Sequence, residues 1–462
     1  MTQSSSFMHV STPRGYPVIG VLPSLLRDPW HYTSNVFRRY GDLVCLDLGF
    51  AKAYVIGHAD HAQYVLRDNK NNFDKGDNYD PVRRLLGKGL ASSEGELWLQ
   101  QRRMLQPLFL KQQLAGLAPL ITRTIDDSLA RWPVRSGGAR FELFEGITHM
   151  VTRIILRAMF NAALSEAECD EASKAVKTAA DQIGTRLWTF FLPRSLPLPG
   201  ERELRKAVHT IDSTIFRILS ERRRRRSGAV AEGQGDLIDL LLDTQDEESG
   251  QRMSDLQVRD EAVTFFAAGI ETTANMLAWT FYLLCAHPEI ERKVRDEVEA
   301  VVGDRTPTFE DLNKLTYSKM VLQEALRLYP PGWMIPRHAI AEDVIHGHRI
   351  PKDAVVIVLV HAIHRHPALW PDPEVFRPER FTPEETAKRH RSAYLPFGFG
   401  ARQCIGNHLA LMEGQLVLSM VAQRFRMRLV PGHKVVPRVG MTLYPKDGVL
   451  VTLEPARARG AA

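Results

Sequence analysis

The chain predicts a mainly α fold with a minor β portion, and three features carry that expectation. Helical periodicity dominates its 462 residues, from Trp30 to Arg424. Apolar runs of strand length are confined to one stretch near the N-terminus and two near the C-terminus. No internal repeat and no long flexible linker divides the sequence, so one domain over 1–462 is expected, with 1–12 a polar, Ser-rich N-terminus.

Taken in order, residues 13–23 are punctuated by proline and glycine and read as a surface segment. Residues 30–40 have helical spacing and stop at Gly41; 43–48 and 53–56 alternate around Gly49 as a short hairpin; 60–66 are a short helix. Residues 73–93 read as a long irregular stretch, of the kind that forms lids and binding loops. Helices are predicted over 94–110, 114–132, 143–160, 165–185 and 201–226, with an apolar, proline-rich connection over 187–199. The run Arg222 to Arg226 sets cations at the negative pole of its helix, a solvated helix end rather than an anion site. A polar loop, 228–235, leads to a short amphipathic helix, 236–244.

Ser254 opens the longest helical pattern, with Gln257 placed for a capping box, and the pattern runs to about Ala286. At 1.5 Å per residue it spans roughly 50 Å, so it must cross the centre of the protein. Residues 289–302 and 316–329 continue the helical body. Strands follow over 334–340, 344–350 and 355–360, then a loop over 366–383 and a helix ending near Arg424. Residues 425–430, 435–439 and 449–453 close the chain as strands.

Composition narrows the function. An apolar fraction of 44% and a charged fraction of 25% are those of an ordinary globular protein. A net charge of +6 suits a basic docking face for an acidic partner, and no nucleic-acid-binding motif is visible. Cys45, Cys169, Cys285 and Cys404 are far apart with no CxxC pair, which argues against zinc fingers and iron–sulfur clusters. No signal-peptide core is present, and the longest membrane candidate, 274–286, is too short to span. A cytoplasmic protein with no transmembrane segment is expected.

Three constellations carry chemistry. Phe397-Gly398-Phe399-Gly400-Ala401-Arg402-Gln403-Cys404-Ile405-Gly406 puts a cysteine at the end of a glycine-rich turn just before a helix. A sulfur there meets the positive helix end and free N–H groups, which favour thiolate, and Gly398 and Gly400 let the chain approach something flat. It is a metal or cofactor ligand, or else a buried small hydrophobe. Ala268-Gly269-Ile270-Glu271-Thr272-Thr273 interrupts the long helix with poor helix formers. Glu271 and Thr272 would suit a proton relay, or the carboxylate is simply satisfied by neighbours. Glu324 and Arg327 share a helix face at i and i+3, a common surface pairing unless Arg380 joins it in a buried network.

Together these motifs resemble the cytochrome P450 family, the haem-thiolate monooxygenases of soluble bacterial type. Phe397, Gly398, Gly400, Arg402, Cys404 and Gly406 match the family's haem-binding signature. Residues 268–273 match its oxygen-activating segment, Glu324 with Arg327 its E-x-x-R pair, and Trp98 with Arg102 its W-x-x-x-R pattern. The resemblance implies haem b between the long helix and the cysteine helix, with Cys404 as iron ligand and Phe397 shielding its sulfur. It also implies Trp98, Arg102, Arg337 and Arg402 at the propionates, and Gly269 and Gly398 beside the cofactor. Thr272 would stand at the O2 site and Glu271 would deliver protons. The implied substrate is lipophilic, a fatty acid or terpenoid, walled by 73–93, Phe265, Phe266, Ala268, 332–335 and 440–443. Arg83 or Arg84 could anchor a carboxylate, or lie solvated. Electrons would come from a separate ferredoxin or flavodoxin with its NAD(P)H reductase, docked on a basic face near Arg103 and Lys111. A peroxide-driven hydroxylase and a haem sensor or electron-transfer protein are the alternatives, and the Glu271–Thr272 pair argues against both.

Overall fold

Ser254 starts the helix around which the rest packs. Its hydroxyl accepts from Gln257 N–H at 3.2 Å, and Gln257 returns a bond to Ser254 N–H at 2.9 Å, completing the expected capping box. The helix Asp255–Ala286 is buried over most of its length, which is why its sequence is apolar all round rather than striped. Leu143–Phe160, Thr316–Leu328 and Asn407–Arg424 pack against it. In this computed structural model the described residues are 8–49, 51–133, 138–160, 165–188, 199–227 and 237–456.

The helices expected over 30–40, 143–160 and 316–329 form as Pro29–Tyr40, Leu143–Phe160 and Thr316–Leu328. Gly41, at φ 93°, ends the first. Other expectations needed correction. The stretch 73–93 is not wholly irregular: Pro81, in the first turn where its missing N–H costs nothing, helps start the helix Asp80–Leu86. Residues 344–350 are not one strand but two, Asp343–Ile345 and His348–Ile350, reversed at His346 and Gly347, both at positive φ. The strand Ala139–Glu142 escaped notice because it pairs only with the distant Leu450–Pro455. The arginine run is partly docked: Arg222 donates to Phe160 O at 3.2 Å, and Arg223 pairs with Asp255. The loop over 228–235, and all but the ends of the connection over 187–199, lie outside the described residues.

Five strands make the main sheet, in the order Leu43–Asp47, Lys52–Ile56, Val355–Val358, Ile335–Ala339, Phe73–Asp74. Ile56 pairs with both Leu43 and Val358, so the start of the first strand and the ends of the next two share one corner. The helix Asn407–Arg424 follows the cysteine turn directly and packs on the central helix, which puts the turn beside the protein's middle.

Candidate active site

The cysteine turn is built by its glycines. Gly398 and Gly400 both take φ 73°, and a side chain at Gly400 would come within 2.4 Å of Leu66 O. Cys404 N–H donates to Phe397 O at 2.8 Å, and Gly398 N–H to Leu395 O at 3.0 Å, closing the loop on itself. Gly406 N–H points at the Cys404 sulfur, and Arg102 is its nearest cation; both favour thiolate. Burial outweighs them and pushes the thiol up from its ordinary value. The expected net pull toward thiolate is therefore absent in the protein alone, and a bound cation would have to supply it. Although set deep among protein atoms, Cys404 is exposed, so it faces open space rather than packed side chains.

A buried network braces this turn. Arg327 Nε and NH2 each donate to Glu324 at 2.7 Å, and both residues are fully buried. Arg327 NH1 reaches His364 O at 2.8 Å and Pro373 O at 2.6 Å, and Arg380 Nε lies 3.3 Å from Glu324 Oε1. His364 then links the network to the loop. Its Nδ1 meets Arg327 O at 3.1 Å, and its Nε2 accepts from Leu395 N–H at 2.7 Å, which assigns the proton to Nδ1. No spacing in the sequence marked His364.

On the other side of the turn, cations gather. Arg402 donates to Ser93 O at 2.9 Å, pairs with Glu94, and lies 3.8 Å over the Trp98 ring. Arg102, one turn after Trp98, donates to Gln403 O at 2.9 Å. Arg337, buried, donates to Pro336 O at 2.8 Å. Lys75, which the sequence did not single out, is buried beside them with Ser93 O at 3.0 Å and Glu94 at 3.6 Å. Four cations thus gather about Glu94, with Asp74 near Arg337 as a second carboxylate. Burial, and then Arg402, push Lys75 down to about 7; burial pushes Arg402 down to about 10. Such a surplus fits a ligand that brings two carboxylates.

The central helix supplies the opposite face. Ala268 is exposed in the middle of an otherwise buried helix, and Thr272 Oγ1 donates back to Ala268 O at 2.5 Å. Gly269 sits where a Cβ would fall 3.0 Å from Ile155 Cδ1, so it lets the neighbouring helix close up. Glu271 turns to the hairpin Pro437–Val439 and Leu443–Pro445, accepting from Thr442 Oγ1 at 2.5 Å, while Asn275 Nδ2 donates to the same hydroxyl at 3.0 Å. Burial raises the Glu271 carboxyl above its ordinary range despite that bond. Phe265 meets Phe109 edge-on at 5.3 Å, whereas Phe266 is buried in the core. Arg83 is spent on Asp80 and Gly76 O, and Arg84 on Glu201, so neither is free to anchor a substrate carboxylate. Arg103 is likewise held by Asp246 and Glu248, leaving Lys111 exposed on the expected docking face.

Comparison with known proteins agrees with this geometry. The family model described as Cytochrome P450 matches residues 10–453. The chain is 36% identical to cyclooctat-9-en-7-ol 5-monooxygenase of Streptomyces melanosporofaciens, covering 91% of this chain and 90% of that one. It is 31% identical to pentalenene oxygenase of Streptomyces avermitilis, covering 95% and 96%. The crystal structure of the cytochrome P450DA heme domain superposes with a TM-score of 0.88 at 27% identity, over 98% of both chains. The central helix runs unbroken through the segment expected to interrupt it, and the chain belongs to the cytochrome P450 family of haem-dependent, oxygen-incorporating monooxygenases.

Proposed function

We propose that this chain holds haem b on Cys404 and oxygenates a compact terpenoid, with electrons from a ferredoxin or flavodoxin and its NAD(P)H reductase. One observation carries the cofactor assignment: an exposed cysteine at an interior glycine turn stands beside four cations that outnumber the carboxylates near them, Glu94 and Asp74. When bound, a thiolate-ligated haem supplies activation of O2 and transfer of one oxygen atom to the substrate.

The chain's own residues do the rest. Arg102, Arg337, Arg402, Lys75 and the Trp98 indole would hold the propionates, each propionate offsetting one of the surplus charges. Phe397 covers the sulfur, and Gly406 N–H donates to it. Gly398 would let the backbone approach the cofactor, while Gly269 lets the neighbouring helix close up through Ile155. Thr272 offers a hydroxyl beside the exposed Ala268, and turning it from Ala268 O toward the O2 site would present a donor there. Glu271, whose carboxyl burial raises above its ordinary range, would relay protons one residue away, and Thr442 orients it.

The terpenoid assignment draws on the relatives named for cyclooctat-9-en-7-ol and pentalenene and on the lack of a free cation on the 80–86 helix. Reconstitution with a surrogate ferredoxin, reductase and NADPH against cyclic terpenes and fatty acids tests it. Oxygenated terpenes that need NADPH are the expected product. Fatty-acid products alone would overturn the substrate class, and product with peroxide alone would overturn the electron source. Among the described residues no helix is long and apolar enough to cross a membrane.

A further inference from the structure

At one corner of the main sheet an aspartate and two histidines leave three neighbouring strands together. Asp42 precedes Leu43–Asp47, His58 follows Lys52–Ile56, and His366 lies just beyond Val355–Val358 and the short helix Val360–Ile363. Gly57 N–H donates to Asp42 O at 2.9 Å and ties the first two segments. One ligand atom from each of Asp42, His58 and His366 lies within 4.8 Å of the other two. His366 Nε2 is 3.1 Å from Asp42 Oδ1, and the His58 and His366 rings meet edge-on at 5.0 Å. All three are half-buried, screened from bulk water but within reach of a small ion.

We propose that Asp42, His58 and His366 bind a divalent transition-metal ion of the zinc type, at a site separate from the haem centre. Two imidazole nitrogens and one carboxylate oxygen form a zinc donor set with a fourth position for water. The imidazoles disfavour magnesium and calcium, which take oxygen ligands. Tetrahedral ligands at about 2.0–2.1 Å from zinc stand roughly 3.3 Å apart, so the side chains close slightly onto the ion. Asp60 Oδ2, 3.5 Å from His58 Nδ1, would take the Nδ1 proton and aim Nε2 at the metal once Nδ1 gives up the bond it accepts from Asp60 N–H at 3.3 Å.

Two contacts oppose binding, the first being that bond from Asp60 N–H to His58 Nδ1. His366 Nδ1 accepts from Ala368 N–H at 3.2 Å, and a metal on Nε2 leaves the proton on Nδ1, so this bond is given up. The surroundings favour capture all the same. His61 lies 5.9 Å from His58 and 4.7 Å from His346, His348 is 6.5 Å from His61, and His390 Nε2 is 3.2 Å from Asp60. His61 Nδ1 and His348 Nδ1 are buried without a hydrogen-bond partner. An ion at the triad would staple three chain segments. It would stand two residues from His364, which holds Leu395 of the cysteine loop.

The test uses haem-loaded protein stripped of other metals, titrated with zinc chloride by calorimetry and assayed for retained zinc after dialysis. One zinc per chain is expected, with a higher melting temperature on binding. His58→Gln decides the matter because it leaves the Asp42–His366 pair in place. It should weaken binding about tenfold or more while the haem spectrum and the zinc-free melting temperature stay unchanged. Asp42→Asn should act in the same direction. A control, His149→Gln with His209→Gln, removes exposed histidines elsewhere and should bind as wild type. No saturable binding, undiminished binding in His58→Gln, or loss only on changing His61, His346 and His348 would each overturn the assignment.

Discussion

Two groups of buried charge flank the cysteine turn, and the protein treats them in opposite ways. Around Glu324 the charges close among themselves: Arg327 spends its fork on the carboxylate and three carbonyls, with Arg380 alongside. Around Glu94 they do not close, because Lys75, Arg102, Arg337 and Arg402 outnumber Glu94 and Asp74, the carboxylates near them. Desolvating a charge is costly unless partners are supplied. The closed group is therefore scaffold, and the open group waits for charges that a ligand brings.

The contrast can be broken most directly at Arg327. Arg327→Ala strands Glu324 in a fully buried position, and a loss of about 3–5 kcal/mol is expected, read as unfolding at lower denaturant and loss of haem-loaded protein. Arg327→Lys should not rescue it, since an ammonium cannot reproduce the fork. Survival of either variant with haem intact would mean that the closed group is dispensable. Next in size, Cys404→Ala should abolish the characteristic carbonyl spectrum of the reduced protein while the chain stays folded, because Cys404 is exposed and outside the brace.

The open group should behave differently. Lys75→Met or Arg402→Ala should speed haem loss to a scavenging apoprotein by about tenfold each, roughly 1.4 kcal/mol, with no loss of stability in the haem-free protein. Lys75 also has a pH signature. Its folded value is about 7 against an ordinary 10.5, so between those values the unfolded chain holds a proton that the folded chain has shed. Stability of the haem-free protein therefore rises with pH across that window, and Lys75→Met should flatten the rise. The smallest effect on structure belongs to Thr272→Ala, which removes the bond to Ala268 O and should leave haem content intact. Its effect should appear as more peroxide formed per NADPH consumed, and unchanged coupling would remove Thr272 from proton delivery.

Most of the helical body, the capping box and the Glu324–Arg327 pair were legible in the sequence because each is a local pattern with a fixed spacing, whereas Arg380 joins the pair only through the fold. Lys75 and His364 were not, since one lies in a loop and the other in a turn, and only the fold brings them to the cysteine. Helix 80–86 was hidden by its charged, short sequence. The groups that favour thiolate at Cys404, the helix end and N–H donors, can be read from sequence, but the depth of burial that opposes them cannot.

His364 carries one more consequence, for acid. Both of its nitrogens are engaged, and burial followed by Arg327 drives its affinity for a proton far below the ordinary 6.5. His361, one turn earlier, is pushed down to about 3 by burial. Below about pH 6.5 the unfolded chain takes up two protons that the native turn refuses. Each imidazole then withdraws about 1.4 kcal/mol of stability per pH unit. The acid limit of this enzyme is thus written into the turn that suspends its cysteine, and the grip on the sulfur should be the first to slip as the medium sours.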